Sequence, residues 1–263
     1  ADRANRSMGE ARRRLSGGEG EEAEQAQKKA EDHLKQAEEE LSEEERRYRQ
    51  LQQEELLFRI QQELAKLAAE QEKLNAETLK IDTERAARGG ALIRVERFRL
   101  KDLGEAQTKL AGQVEYIVTE IEKQGSQVFG FTLRTVGDDM LDVGLRLGRN
   151  QTDTLVQAIQ ADILRRLKSL EAVFHEELKR RQRQGKQQQG GGGQQPLVPP
   201  AAELLMLRAM QDELNRELRG FIEGHPGIGK LDEAQREALS RLAHRQGLLK
   251  DIWNRFVASL GVR

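Results

Sequence analysis

The sequence predicts an all-α protein of extended helical hairpins with one long coiled-coil arm. Residues 21–88 contain no proline and no glycine and consist mostly of Glu, Gln, Lys, Arg, Ala and Leu, the strongest helix formers. Charged residues make up 34% of the chain and aromatic residues only 4%. This composition is typical of long helices that share narrow apolar seams. A disordered chain is the alternative, but apolar residues recur at helical spacing over most of the length.

Glycine-rich breaks divide the N-terminal part into helices, because glycine supplies the backbone freedom that a turn needs. Residues 92–100 alternate in a way that also fits a β-strand, but no second strand candidate lies nearby, so we expect a helix there. Residues 1–188 are therefore predicted to form a helical-hairpin and coiled-coil array, with helices at about 1–15, 21–87, 91–124, 127–147 and 153–187.

Two apolar seams of different phase run along the arm. The first includes Leu34 and Leu41, and the second is a heptad that begins near Leu57. The change of phase falls at residues 54–58, where we expect the seam to change its partner or the supercoil to be locally strained.

A linker separates this array from a C-terminal hairpin. Residues 189–198 are rich in Gly, Gln and Pro, a composition typical of flexible linkers. Residues 199–263 then carry two apolar stripes joined by a Gly/Pro loop, which predicts a separate antiparallel pair of helices. The linker is therefore the predicted domain boundary.

The chain contains an internal repeat of one hairpin. The pattern Met8, Leu15, a glycine-containing loop, Gln27, Leu34 and Leu41 recurs as Met140, Leu147, a glycine-containing loop, Gln160, Leu167 and Phe174. The spacing within each half of the pattern is identical in the two copies, and only the loop differs in length, by a single position. Repeated hairpins predict an array in which each hairpin buries a face on its neighbour.

This layout resembles long, uncharacterised bacterial coiled-coil proteins of the envelope-associated type, which are built from such Met…Leu, loop, Gln…Leu hairpins. In them a Gly/Gln/Pro-rich linker often precedes a segment like residues 204–215. The resemblance covers most of the chain and implies an architecture and a bacterial envelope location. It brings no established activity.

Composition limits the chemistry. The absence of cysteine excludes disulfides and thiolate sites and leaves the compartment undetermined. No run of 18 apolar residues occurs, so we expect no transmembrane segment. The net charge of -1 gives no overall attraction to nucleic acid. The chain begins within a helical pattern, and we expect it to be part of a longer protein.

Gly224 to Lys230 fits the G-x-x-x-x-G-K pattern of a phosphate-binding loop, which makes nucleotide binding a remote alternative. However, Leu231 stands where the motif needs Ser or Thr, and a helix precedes it where the motif needs a strand. The four histidines form no metal-binding spacing. No catalytic grouping stands out. We therefore expect no enzymatic activity, no cofactor, no metal and no small-molecule substrate.

A basic cluster at residues 179–186 offers a second function, contact with nucleic acid or an anionic surface. Nucleic acid is the less favoured ligand, because no aromatic residue interleaves the cluster for base stacking. Cations at a helix C-terminus also favour the helix dipole without any ligand. The residues that would contact an anion are Lys179, Arg180, Arg181 and Arg183.

The function that the sequence favours is that of a non-enzymatic structural or scaffold protein. It would act through coiled-coil contacts with a protein partner or by self-association. The predicted interaction seam consists of Leu57, Ile60, Leu64, Leu67 and Leu74 in the arm and Leu207, Met210, Leu214, Leu249 and Phe256 in the C-terminal hairpin.

Overall fold

The computed structural model describes residues 2–185, 197–224 and 231–260. Every regular element in these ranges is an α-helix, which confirms the predicted all-α class. The helices are α1 (Asp2–Ser16), α2 (Gly20–Ala87), α3 (Arg94–Lys123), α4 (Gln127–Gly148), α5 (Thr154–Gly185), α6 (Pro200–Gly224) and α7 (Glu233–Ser259). The segment for which a strand was the alternative, 92–100, is helical from Arg94 onward.

Local sequence explains where the helices end. Gly89 and Gly90 follow α2 with φ angles of 72° and 93°, a conformation that side chains disfavour. The Asp153 carboxylate accepts hydrogen bonds from the backbone N–H of Leu155 and Val156 and caps α5. Each of these ends is therefore encoded by one or two residues.

The chain divides into two compact units, Ala1–Glu55 and Leu56–Arg263. This division falls within the predicted change of seam phase at residues 54–58. It differs from the boundary predicted at the 189–198 linker. Helices α6 and α7 pack against α4 and α5 within the second unit, so the predicted separate C-terminal hairpin is part of that unit.

Four helices form the centre of the second unit: α2 from Leu56 onward, α3, α4 and α5. Helix α4 packs along α3 and α5. Hydrogen bonds join α2 to α3 and to α5, so that the four helices close into a bundle. Phe129 of α4 and Phe174 of α5 meet edge to face with ring centroids 5.2 Å apart in its core.

A polar layer crosses this apolar bundle. The amides of Gln71 and Gln107 are fully buried and exchange two hydrogen bonds of 3.1 and 2.6 Å. The side chain of Gln160 in α5 donates to the Thr78 hydroxyl at 3.1 Å, and the Asn75 side chain donates to the backbone carbonyl of Gln160 at 3.0 Å. A buried amide without a partner is costly, so this layer fixes the longitudinal register of α2 against α3 and α5.

Helices α3 and α4 cross closely because both have glycine at the crossing point. A Cβ atom at Gly104 would lie 2.7 Å from the Gly144 carbonyl oxygen, and one at Gly144 would lie 3.0 Å from the Gly104 carbonyl oxygen. The first distance is too short for a methyl group, and the second would require the α3 backbone to shift.

Helix α6 is anchored to the start of α4 by a buried carboxylate. Glu203 accepts a hydrogen bond from the Ser126 hydroxyl and others from the backbone N–H groups of Gln127 and Val128. Burial raises the pKa of Glu203 above its ordinary value, because desolvation outweighs these hydrogen bonds, which favour the charged form.

Substituting Gly104→Ala should destabilise the protein by about 1–3 kcal/mol, since the added methyl would meet the α4 backbone. Gly112→Ala in the same helix is the control. Nothing lies within 4 Å of a Cβ at Gly112, so this variant should be more stable by about 0.5–1 kcal/mol. Urea unfolding of both variants measures the difference, and equal effects would contradict the close crossing.

The raised pKa of Glu203 predicts a pH dependence. Its folded-state pKa lies above the unfolded value, so its contribution to stability is complete below the unfolded pKa and is lost as the pH rises through the folded pKa. The free energy of unfolding of the wild type, measured relative to Glu203→Gln, should therefore fall as the pH rises above the ordinary pKa of a glutamate carboxyl. A difference that grows with pH would show that the fold favours the charged carboxylate, and a constant difference would show that folding does not shift its pKa; either result would contradict the prediction.

Candidate functional site

The first unit is a hairpin of α1 and the beginning of α2 that is held together by small side chains. Arg14 adds ion pairs to Glu10 and Glu22. The residues buried in this unit are all alanines, namely Ala4, Ala11, Ala23, Ala26 and Ala30. Alanine lets two helices approach closely, but it buries little apolar area per residue.

Larger side chains of the same hairpin point away from this alanine contact. Met8, Leu15, Leu34 and Leu41 are 45%, 55%, 49% and 59% exposed, and Gln27 is exposed among them. We call these five residues the outer stripe. Apolar side chains that recur at heptad spacing on one helical face are the pattern by which helices pack together. The outer stripe is therefore the candidate functional site.

The internal repeat supplies a comparison within the same molecule. The α4–α5 hairpin has equivalents of all ten positions. The equivalents of the buried alanines are Val136, Val143, Val156, Ile159 and Ile163, and they too are buried. The equivalents of the outer stripe are Met140, Leu147, Gln160, Leu167 and Phe174, and these are buried as well. The alanine positions form the first face of each hairpin, and the outer-stripe positions form its second face. The two hairpins thus differ in whether the second face is covered by other parts of the chain.

Helices α2 and α3 cover that second face in the α4–α5 hairpin. Gly137 and Gly144 bracket Met140 on the side of α4 that faces Val114 and Thr108 of α3. Gln160 and Glu171 bracket Leu167 on the side of α5 that hydrogen-bonds α2, through Thr78 and Gln61. The part of α2 from Leu56 onward and α3 therefore form the natural complement of this kind of face.

The predicted interaction seam lies mainly inside the second unit. Leu57, Ile60, Leu64 and Leu67 are buried there, and Leu74 is half-buried against the same core. In the C-terminal hairpin, Leu207, Leu214, Leu249 and Phe256 are buried and Met210 is half-buried. These side chains pack within the chain. Leu34 and Leu41 of the first seam, which were not predicted to be a contact surface, are exposed instead, as are scattered large apolar residues of the second unit such as Phe98 and Leu205.

The predicted anion-binding cluster is engaged largely with glutamates. Arg181 is buried and donates to Glu177 at 3.0 Å and to the Leu197 carbonyl at 2.9 Å. Arg180 bonds the same carboxylate at 2.8 Å, which raises the pKa of its guanidinium. Lys179 pairs with Glu176 at 3.2 Å.

Arg183 is exposed, as are Lys179 and Arg180. Lys186 and residues 225–230 of the phosphate-loop-like segment lie outside the described residues. The described part of the cluster therefore presents little charge that is not already matched by a carboxylate or a carbonyl.

A cavity of about 350 Å³ lies where α7 meets α4, α5 and α6. Phe131, Met210 and Ile252 form part of its apolar wall. Arg166 and Arg241 are among the charged residues that line it. Its lining carries charges of both signs.

Arg166 is the centre of an ion-pair network beside this cavity. It is buried, bonds Asp139 of α4, lies 2.8 Å from Asp162, and donates to the Thr135 hydroxyl at 3.2 Å. Desolvation disfavours the charged guanidinium, but Asp162 and Asp139 outweigh that effect and raise the pKa of Arg166. Arg241 of α7 continues the network with a 3.3 Å pair to Asp139.

Three carboxylates of the network lie close enough to hold a metal ion, those of Asp162, Glu213 and Glu217. Arg245 pairs with Asp162 at 3.3 Å and with Glu217 at 2.6 Å, and Arg165 bonds Glu213. Arginine therefore already supplies the positive charge that a metal would bring. The arrangement serves to attach α6 and α7 to α5.

Comparison with known proteins gives no match to any family model, to any curated protein or to any solved structure. Among the described residues, no helix combines the length and apolarity that crossing a bilayer requires. The function therefore has to be inferred from the geometry of this chain itself.

Replacing the buried Arg166 should lower the free energy of unfolding much more than replacing the exposed Arg134. Arg166→Met would leave Asp162 and Asp139 without their buried partner, and we expect a loss of about 3 kcal/mol or more. Arg134→Met breaks an exposed pair with Glu122 and should cost less than about 1 kcal/mol. Thermal and urea unfolding compare the two variants. Equal, small losses would mean that the network adds little stability.

Proposed function

We propose that this protein is a non-enzymatic structural or scaffold protein that acts through helix–helix contacts, with the outer stripe as its contact surface. The observation that carries the proposal is the difference between the two repeated hairpins. One exposes Met8, Leu15, Leu34 and Leu41, while the other buries the equivalent side chains under two further helices. Exposed apolar surface of this regularity is typical of protein-binding faces.

The proposed partner is an antiparallel helical hairpin with the residue pattern of α2 and α3 in residues 56–123. That pattern covers the equivalent face of α4 and α5 in this chain, so it has the seam spacing that such a face requires. The hairpin would come from another polypeptide or from another repeat, because residues 56–123 already cover the α4–α5 hairpin. The resemblance to long coiled-coil proteins agrees with this mode of assembly.

One difference between the repeats limits how the partner can lie. Arg12 of α1 stands at the position equivalent to Gly144, the residue that lets α3 cross α4 closely. A long side chain there keeps the second helix of the partner farther from α1 than α3 is from α4. Most of the contact should therefore involve the first helix of the partner and the Leu34 and Leu41 side of the outer stripe.

The test uses a labelled polypeptide of residues 56–123 as a probe, after circular dichroism has established that it is helical by itself, and measures its binding to the full chain by fluorescence anisotropy. Leu34→Gln with Leu41→Gln removes two large apolar contacts and should weaken binding about 100-fold or more, at roughly 1.5–3 kcal/mol for each buried leucine. Both side chains are exposed, so the helix should keep its circular dichroism.

Glu39→Gln with Arg46→Gln is the matched control. These two residues have the same heptad spacing on α2 as the two leucines, are exposed, and together leave the net charge unchanged. The control should bind the probe as the wild type does. A probe that does not bind the wild type, or that binds the two double variants equally, would contradict the proposal.

A further inference from the structure

We infer that Gln27, Lys35 and Glu38 of α2 select the partner of the outer stripe and set its register. The partner's first helix would carry an amide, a carboxylate and a hydroxyl in that order, at the relative positions of Gln61, Glu72 and Thr78. This inference rests on the proposed function and specifies the chemistry of the partner.

Three polar contacts join α5 to α2 beside the apolar seam. Gln160 donates to the Thr78 hydroxyl at 3.1 Å, and Lys168 lies 3.2 Å from the Glu72 carboxylate. In the third contact, the Glu171 carboxylate accepts from the Gln61 amide at 2.6 Å. A face of this kind therefore recognises polar groups as well as apolar ones.

All three α5 residues recur in the first repeat. At the alignment that pairs Leu167 with Leu34, Gln160 corresponds to Gln27, Lys168 to Lys35 and Glu171 to Glu38. Each is the same amino acid, although several apolar positions between them have changed. The leucines of the outer stripe could accept any apolar helix, whereas these three residues require a hydroxyl, a carboxylate and an amide in a fixed order.

Burial gives Gln27 the largest share of this selectivity. Its equivalent, Gln160, is almost fully buried and uses its amide N–H on Thr78. A buried amide that meets an apolar side chain loses its hydrogen bond and remains desolvated. A partner shifted along the seam would impose that cost on Gln27, so the seam has one favoured register.

Lys35 and Glu38 act at the rim. Lys35 now pairs with Glu31 within the same helix at 2.8 Å, an exposed contact that a partner carboxylate could replace at little cost. Glu38 is exposed. Rim charges of this kind disfavour partners that bring a like charge to the same position.

A double-mutant cycle tests the inference, using the full chain and the labelled probe of residues 56–123. The chain is wild type or Gln27→Leu, and the probe is wild type or Thr78→Leu. The wild-type chain should bind the Thr78→Leu probe about 10-fold more weakly than the wild-type probe, because Gln27 loses its partner inside the interface. The Gln27→Leu chain should show no such preference or the opposite one.

Exchange of charge gives a second, independent measurement. Lys35→Glu in the chain should weaken binding of the wild-type probe, and Glu72→Lys in the probe should restore it. Lys29→Glu, the same charge change at an exposed position on a different face of α2, should not alter the preference between the two probes.

Two failures can be told apart. If Thr78→Leu weakens binding equally with both chains and the charge exchange restores nothing, while Leu34→Gln with Leu41→Gln still abolishes binding, the register is not set by these residues and the scaffold proposal stands. If the wild-type chain does not bind the wild-type probe, both proposals are wrong.

Discussion

Each helical hairpin of this chain has two apolar sides, and the structure depends on how both sides are covered. A pair of helices buries one side in its own contact and needs further helices for the other. In the α4–α5 hairpin, α2 and α3 cover that second side, and α6 and α7 pack against the same two helices elsewhere. That arrangement explains why the second unit closes into a core although charged residues make up 34% of the sequence.

Polar groups have different roles on the two faces of that hairpin. Toward α2 and α3, neutral amides and hydroxyls form hydrogen bonds inside an apolar seam, which penalises any sliding of the helices. Toward α6 and α7, buried arginines and carboxylates dominate, with Arg166 at their centre. A buried ion pair stabilises the fold only when its geometry is good, so these pairs fix the positions of α6 and α7. A cavity remains beside them.

The sequence was sufficient to predict the helices, because apolar periodicity and glycine breaks are local signals. The change of seam phase near residues 54–58 also marked the division between the two units. What covers each seam could not be predicted: a heptad such as that of Leu57 and Leu64 looks the same whether its partner lies in the same chain or in another. The ion-pair network joins residues as distant as Asp139 and Arg241, and no sequence spacing indicates such a contact.

The candidate site was partly visible in the sequence, since the repeat was found from residue patterns alone. Its meaning depended on a comparison of burial, which requires coordinates for both hairpins. The positions that carry alanine in the first hairpin carry valine or isoleucine in the second. All three are apolar, so the pattern of the repeat is unchanged, yet the difference in size decides which hairpin has a substantial core of its own.

The alanine contact of α1 also has a consequence for dynamics. Five methyl groups and the ion pairs of Arg14 offset little of the conformational entropy that is lost when 15 residues become helical, so α1 belongs to the least stable part of the fold. The backbone hydrogen bonds of α1 should open more often than those of α4, its counterpart in the repeat, so its amide hydrogens should exchange with solvent much faster. A partner on the outer stripe would then complete the folding of α1 as it docks, and part of the energy of docking would be used to order this helix.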